Sequence, residues 1–319
     1  MTQYIDVFNG DADGICALHQ LRLWKPRPGA RLVTGVKRDI HLLAQLKEVR
    51  AADITVLDIS LDKNRTSVDS LLGGNKIFYV DHHYAGHIPE HSNFTVHIDP
   101  DPEICTALIV DRLLDGIHRP WAIVGAFGDN LHEAARKAAL TLGHTEERID
   151  KLRQIGELLN YNGYGKTPAD LFYPPDELYL EVSEYPDPFD FFQRSAMLET
   201  LRRGFADDMD RAARTTPYAE TDAGRVYMMD DVAWCRRVSG VFSNKIAREK
   251  PEKAHALLID NGDGTYMVSV RAPLANRKNA DVLCRAFPTG GGRAAAAGIN
   301  SLPEVLVDEF LEKFAEIFA

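Results

Sequence analysis

Short apolar runs alternate with helix-period segments through the first half of the chain, and several of those runs stop at an acidic or Asp-His cluster. Residues 4–8, 30–36, 53–58, 76–80 and 94–98 read as strands. Residues 15–24, 62–72 and 106–114 read as helices, the second closed by Gly73-Gly74. Such alternation is satisfied by a parallel sheet with helices on its faces. The predicted fold class is therefore α/β, an N-terminal parallel sheet flanked by helices followed by a smaller C-terminal α/β domain.

The chain has 319 residues, more than one ordinary core holds. The expected division is a first domain over 1–165, a linker with a bridging helix over 166–215, and a second domain over 216–319. Pro168, Pro174, Pro175, Pro186 and Pro188 mark the linker as irregular, before a single long helix at 189–214. In the second domain 225–229 reads as a strand, 238–248 as a helix, 256–259 with 266–270 as a hairpin around Asn261-Gly262-Asp263-Gly264, and 303–318 as an amphipathic helix.

No apolar run approaches the roughly 20 residues needed to cross a bilayer, so no membrane partner is expected. Met1-Thr2-Gln3-Tyr4-Ile5 lacks the basic start of a signal peptide. Cys16, Cys105, Cys235 and Cys284 are scattered among apolar neighbours, the pattern of buried reduced thiols. A cytoplasmic location is expected. The net charge of −10 argues against gripping a long nucleic acid, which needs many Lys/Arg–phosphate contacts, and for a small phosphate compound.

Asn9-Gly10-Asp11-Ala12-Asp13-Gly14 follows the first predicted strand. Asp58 ends the third, Asp81-His82-His83 the fourth, and Asp129 follows a further apolar segment. Functional groups in an open parallel sheet gather beyond the carboxyl ends of its strands, so these stretches are predicted to meet at one edge. Singly, each has a plain reading: Asp-Ala-Asp-Gly as a helix cap, Asp58 as a strand-end cap, His82-His83 as a packed pair. Together they point to chemistry. Crowded carboxylates repel, and a divalent cation removes the conflict. Carboxylate and imidazole donors suit Mn²⁺, Mg²⁺ or Fe²⁺, and two ions about 3.5–4 Å apart would share a carboxylate and clamp a phosphate.

These motifs resemble those of the DHH phosphoesterase superfamily. Ser269-Val270-Arg271 and Gly290-Gly291-Gly292-Arg293-Ala294-Ala295-Ala296-Ala297-Gly298 are similar to the Ser-x-Arg and Gly-rich motifs of its associated C-terminal domain. The resemblance implies one ion held by Asp13, Asp58, His82 and Asp129, and a second by Asp11 and a bridging Asp58. It implies Mn²⁺, with Mg²⁺ as the alternative. His83 would contact the phosphate or act as general acid, with Asp81 orienting a histidine. Arg271 would bind phosphate, and Gly290, Gly291, Gly292 and Arg293 would present an anion site at a helix N-terminus.

The chain departs from that pattern twice. A branch of the family carries a metal-binding His where Val7 stands, leaving Asn9 as a substitute ligand. Arg293 replaces the His of the Gly-rich motif, keeping anion binding and removing a titrating imidazole. Tyr161 or Tyr164 offers a stacking surface for a base, against the plain reading of a loop closing a helix.

The leading functional expectation is hydrolysis of short oligonucleotides or cyclic dinucleotides. A polyphosphate, pyrophosphate or nucleoside bisphosphate phosphatase, a RecJ-like single-strand exonuclease and a non-catalytic phosphate-binding protein stay open as alternatives. A homodimer is compatible with the sequence.

Overall fold

The computed structural model describes residues 3–319; Met1 and Thr2, part of the stretch read for a signal peptide, lie outside the described residues. Two compact units divide between Gly204 and Phe205.

The first unit is built on five strands, β1 (Gln3–Phe8), β2 (Arg31–Val33), β3 (Ala52–Leu57), β4 (Lys76–Asp81) and β5 (Phe94–Ile98), all parallel in the order β2-β1-β3-β4-β5. A parallel sheet covered on both faces calls for near-continuous apolar strands, as in Ile54-Thr55-Val56-Leu57. Ile5, Val7, Ile54, Val56, Tyr79 and Leu71 form part of its core. Each fully buried aliphatic side chain there contributes about 1.5–3 kcal/mol. The chain steps from β1 to β2 on one side and then to β3 on the other. Such a reversal opens a crevice at the carboxyl ends of β1 and β3.

Helices follow from local signals. In α1 (Ala12–Trp24), the N-cap is Asp11; in α2 (Leu61–Leu72), Ser60. Next come α3 (Thr106–Leu113), α4 (Arg119–Gly128), α5 (His132–Thr141) and α6 (Glu146–Gly163), then α7 (Pro175–Ser183), α8 (Pro188–Arg194) and α9 (Ala196–Ala213). α4 packs against α1, α3 and α6. Every residue from Trp121 to Gly128 is buried, which explains an apolar run without helical periodicity.

Several sequence expectations about the first unit's elements differ from the structure. Strand 30–36 shortens to β2, because this edge strand turns away through a bond from Asp39 N–H to the Val36 carbonyl. The proline-rich linker carries α7 and α8: Pro175 and Pro188 begin helices, where a missing N–H costs nothing. The single helix 189–214 is two, since Ser195 leaves helical geometry and its hydroxyl accepts from Leu198 N–H at 3.1 Å. Residues 160–163 are the last turn of α6 rather than a loop, and Tyr161 is fully buried.

The second unit holds β6 (Ala219–Glu220), β7 (Gly224–Met229), β8 (Ala254–Asp260), β9 (Thr265–Arg271), β10 (Gly290–Arg293) and β11 (Ala296–Pro303), in the order β10-β11-β9-β8-β7-β6. β7 and β8 are parallel and the other pairs antiparallel. The sheet packs with α10 (Ala233–Glu249), α11 (Ala280–Arg285) and α12 (Val307–Phe318), around Leu258, Val268, Leu283, Phe310 and Phe314.

The Gly-rich motif opens no helix here. Gly290, Gly291 and Gly292 form β10 against β11, and the motif continues into that partner strand. A Cβ on Gly290 would run into the Cys284 carbonyl. Gly292, at φ 135°, occupies backbone space that other residues rarely adopt. Close strand packing accounts for Gly290 and Gly292.

Candidate metal centre

The loop after β1 is held by glycines for steric reasons. A Cβ on Gly10 would strike the Gly35 carbonyl oxygen, and one on Gly14 would strike that of Asn9. This close packing sets the N-terminus of α1 at the crevice. Asp11 caps it, its Oδ1 accepting from Asp13 N–H at 3.0 Å and Gly14 N–H at 3.1 Å.

Asp13, in the first turn of α1, accepts from Thr106 N–H at 2.8 Å and Ala107 N–H at 2.7 Å. Cys105 offers α3 no side-chain cap. The carboxylate of Asp13 therefore satisfies donors that α3 would otherwise leave orphaned.

Asp58 follows β3 in the left-handed region, at φ 57°. Asp tolerates this conformation better than most residues, and such strain gathers at functional sites. Its Oδ1 accepts from Thr106 Oγ1 at 3.3 Å. Asp129 caps the C-terminus of α4 and so stands at a helix end, not at a strand end. A segment buried on all sides carries no period by which helix and strand are told apart.

His82 is oriented by the backbone. Its Nδ1 lies 2.9 Å from the Ile104 carbonyl, to which it donates, and Nε2 then faces Asp58 Oδ1 at 3.5 Å and Asp129 Oδ2 at 3.8 Å. That tautomer is the one a metal-ligating imidazole needs. His83 Nδ1 donates to Asp81 Oδ1 at 2.7 Å, with Asp58 at 3.9 Å.

Charge is badly matched without a cation. Burial pushes Asp13 up to about 7, aided by the charges of Asp58 and Asp11. Burial raises Asp58 to about 6 with help from Asp11, and Asp129 to about 6 with help from Asp13. Burial opposes the imidazolium of His82, but the Asp58 hydrogen bond and the charges of Asp13, Asp58 and Asp129 outweigh it, raising the group to about 10. Burial likewise opposes the charge on His83, and its bond to Asp81 prevails, lifting it to about 9.

The residues fit a hard divalent ion. Donor atoms of Asp13, His82 and Asp129 lie within 4.8 Å of one another, as do those of Asp58, His82 and His83. Asn9 Oδ1 and Asp81 Oδ2 are buried without a hydrogen-bond partner. Val7, in the core, supplies no donor. The cavity over the cluster measures about 270 Å³ and is lined by Asn9, Asp11, Lys37, Asp58, His82 and His83 among others. A larger one, about 380 Å³, lies at the opposite strand ends around Trp24, Arg27, Thr55 and Phe78, away from these acids.

Two residues of this centre carry no family motif. Thr106 bonds Asp58 and Asp13, as above. Lys37 Nζ lies 2.5 Å from Asp11 Oδ2, 3.0 Å from Asn160 Oδ1 and 3.7 Å from Asp129 Oδ1. Its place beyond the carboxyl end of β2 was the signal available for it: the strand-end rule that singled out Asp58 applies equally to Lys37.

The expected phosphate-binding residues belong to the second unit. Arg271, ending β9, donates through Nε to Asn244 Oδ1 at 2.8 Å, and Arg293, ending β10, is exposed. Tyr164 borders Lys37, whose ammonium lies 5.6 Å from its ring centre.

The architecture is an α/β fold of the DHH kind, a parallel sheet with its acidic and histidine cluster at the switch point and a mixed-sheet unit following. No protein-family model matches the chain, and no curated protein matches it significantly. Solved structures do resemble it. An exonuclease RecJ bound to manganese aligns with TM-score 0.57 at 17% identity over 99% of this chain and 89% of its own. RecJ from Thermus thermophilus in complex with Mn²⁺ gives 0.60 at 17%, over 99% of this chain and 52% of that one. The pGpG-specific phosphodiesterase PggH from Vibrio cholerae gives 0.54 at 13%, over 99% of both chains. The chain has the fold of these proteins, as the motif resemblance implied. Among the described residues no helix is long and apolar enough to cross a membrane.

Proposed function

We propose that the chain is a metal-dependent phosphoesterase that hydrolyses phosphodiester bonds in short oligonucleotides or dinucleotides. The observation that carries this reading is the convergence of Asp13, Asp58, His82 and Asp129 beneath one cavity, with the Nδ1 of His82 spent on Ile104 and its Nε2 turned to the carboxylates. The manganese in the RecJ structures and the dinucleotide specificity named for PggH support it.

A divalent ion held there supplies Lewis acidity and an acidified water. The protein supplies the rest. Asp13, Asp58, Asp129 and His82 fix the donor geometry. His83, held by Asp81, presents its free Nε2 as the group that gives a proton to the departing oxygen. Lys37 and Lys63, both lining the cavity, draw a phosphate toward it. Arg271 and Arg293 are phosphate-binding residues on the second unit. All four cysteines are buried free thiols, in keeping with a reducing cytoplasm.

The cavity suits a phosphate with a short attachment, and the net charge of −10 disfavours long-strand exonuclease action. The test is a panel with Mn²⁺ comprising a linear dinucleotide, a cyclic dinucleotide, inorganic polyphosphate and long single-stranded DNA. Asp58→Asn serves as control. Fastest turnover on dinucleotides, lost in the control, is expected. Turnover of polyphosphate alone would move the reading to a phosphatase, and no turnover on any substrate would contradict it.

A further inference from the structure

The acids at this crevice divide into two groups by what already touches them. Among the described residues, the two donor sets that cluster tightly enough for a cation draw on Asp13, Asp58, His82, His83 and Asp129; neither includes Asp11. Both carboxylate oxygens of Asp11 are engaged. Oδ1 caps α1 through Asp13 N–H and Gly14 N–H, and Oδ2 receives the ammonium of Lys37 at 2.5 Å.

Lys37 is placed there by its backbone as well as by its charge. Its N–H donates to the Gly163 carbonyl at 2.8 Å at the end of α6, and its own carbonyl accepts from Asn9 Nδ2 at 3.4 Å. The ammonium then meets oxygen atoms of Asp11, Asn160 and Asp129, a set of three oxygens from three separate elements. Oxygens converging in this way are what a hard cation takes as ligands. Here a covalently attached cation takes them. Asp129 is shared: Oδ1 faces Lys37 while Oδ2 faces His82.

We propose that the Lys37 ammonium permanently occupies the position of a second cation, so that the chain works with one divalent ion and one lysine. This rests on the metal reading above and changes its stoichiometry. A divalent ion on Asp11 would lie within contact range of a fixed positive charge and would have to expel it. The lysine neutralises Asp11 and Asp129 and lends the cavity a donor for a phosphate oxygen. A lone ammonium cannot acidify water as a divalent ion does, so that task stays with the ion on the Asp13, Asp58, His82 and Asp129 side.

The experiment is metal analysis and electron paramagnetic resonance on the full chain saturated with Mn²⁺ and freed of excess. The wild type is expected to retain one Mn²⁺ per chain, with the spectrum of an isolated ion. Lys37→Arg, which keeps the charge, is expected to retain one. Lys37→Ala, which frees Asp11, is expected to take up a second and to show an exchange-coupled pair at raised Mn²⁺ concentration. Two ions in the wild type would overturn the inference and leave the metal reading standing. No bound ion in the wild type would remove the metal reading and this inference with it. A Lys37→Ala protein that is folded by circular dichroism and still binds only one ion would show that the ammonium excludes nothing, which also overturns the inference. The wild-type result decides the matter if that variant does not fold.

Discussion

The Nδ1 of His82 lies 2.9 Å from the Ile104 carbonyl, and this one bond turns its Nε2 to Asp58 and Asp129. A backbone acceptor cannot titrate or swing away, so the ring is oriented before any ion arrives. Replacing His82 by Gln removes that preorganised nitrogen. Calorimetry should find Mn²⁺ affinity lower by about 10–100-fold or more. An unchanged affinity would place the ion elsewhere.

Asp58→Asn should stabilise the metal-free protein. Burial and the charge of Asp11 raise Asp58 to about 6, so at pH 8 its ionised form is held in the fold at a cost. Asn carries no charge and tolerates the left-handed backbone at φ 57°. Denaturant unfolding in chelator should show a gain on the order of 1–3 kcal/mol, while Mn²⁺ binding weakens. Lower stability in chelator would show that the carboxylate stabilises the fold without an ion.

The pH dependence of the metal-free protein has a definite sign. Asp13 is raised from 3.8 to about 7, and Asp58 and Asp129 to about 6. His82 and His83 are raised from 6.5 to about 10 and about 9. In each case the folded state holds its proton more tightly than the unfolded chain. The carboxyl contribution is therefore lost as pH climbs from the ordinary carboxylate range through about 7, and that of the histidines from 6.5 through about 10. Burial lowers His19 and His255 to about 4, which opposes this trend below about 6.5, so stability in chelator should fall as pH rises above about 6.5. Saturating Mn²⁺ should reverse the trend, since ligands must shed these protons to bind it, and the binding enthalpy should vary with buffer ionisation heat. A binding enthalpy independent of buffer would contradict the ligand assignment.

Asp81→Asn acts through His83. The 2.7 Å bond to Asp81 holds the ring and favours its protonated form. The variant should lower kcat on a dinucleotide while leaving Mn²⁺ affinity within a few-fold, and should move the alkaline limb of the pH–rate profile to lower pH. A kcat loss with an unmoved profile would reduce Asp81 to a purely structural part.

Much of this site was legible in the sequence because its residues end strands. β1, β3 and β4 are apolar runs with sharp polar ends, and Asp11, Asp58 and Asp81-His82-His83 fall at those ends. Asp129 was grouped with the strand-end acids but caps a helix, because α4 is buried on every side and shows no period. The prolines at 175 and 188 looked like breakers and instead start helices, a difference that depends on the capping geometry around them. The glycine run was read as opening a helix N-terminus, whereas it forms β10, with close strand packing at Gly290 and Gly292. Thr106 escaped notice because a single Thr carries no spacing signal, and Lys37 because the strand-end rule was applied to acids and histidines alone. Only the folded chain brings Lys37 to Asp11, 26 positions away in sequence.

The central claim is that a divalent cation sits among Asp13, Asp58, His82 and Asp129, and anomalous diffraction at the manganese edge from crystals grown with Mn²⁺ tests it most directly. The account predicts a strong anomalous peak in contact with His82 Nε2 and carboxylate oxygens of Asp13, Asp58 and Asp129. A map with no peak at that position, from protein that hydrolyses its substrate, would contradict it.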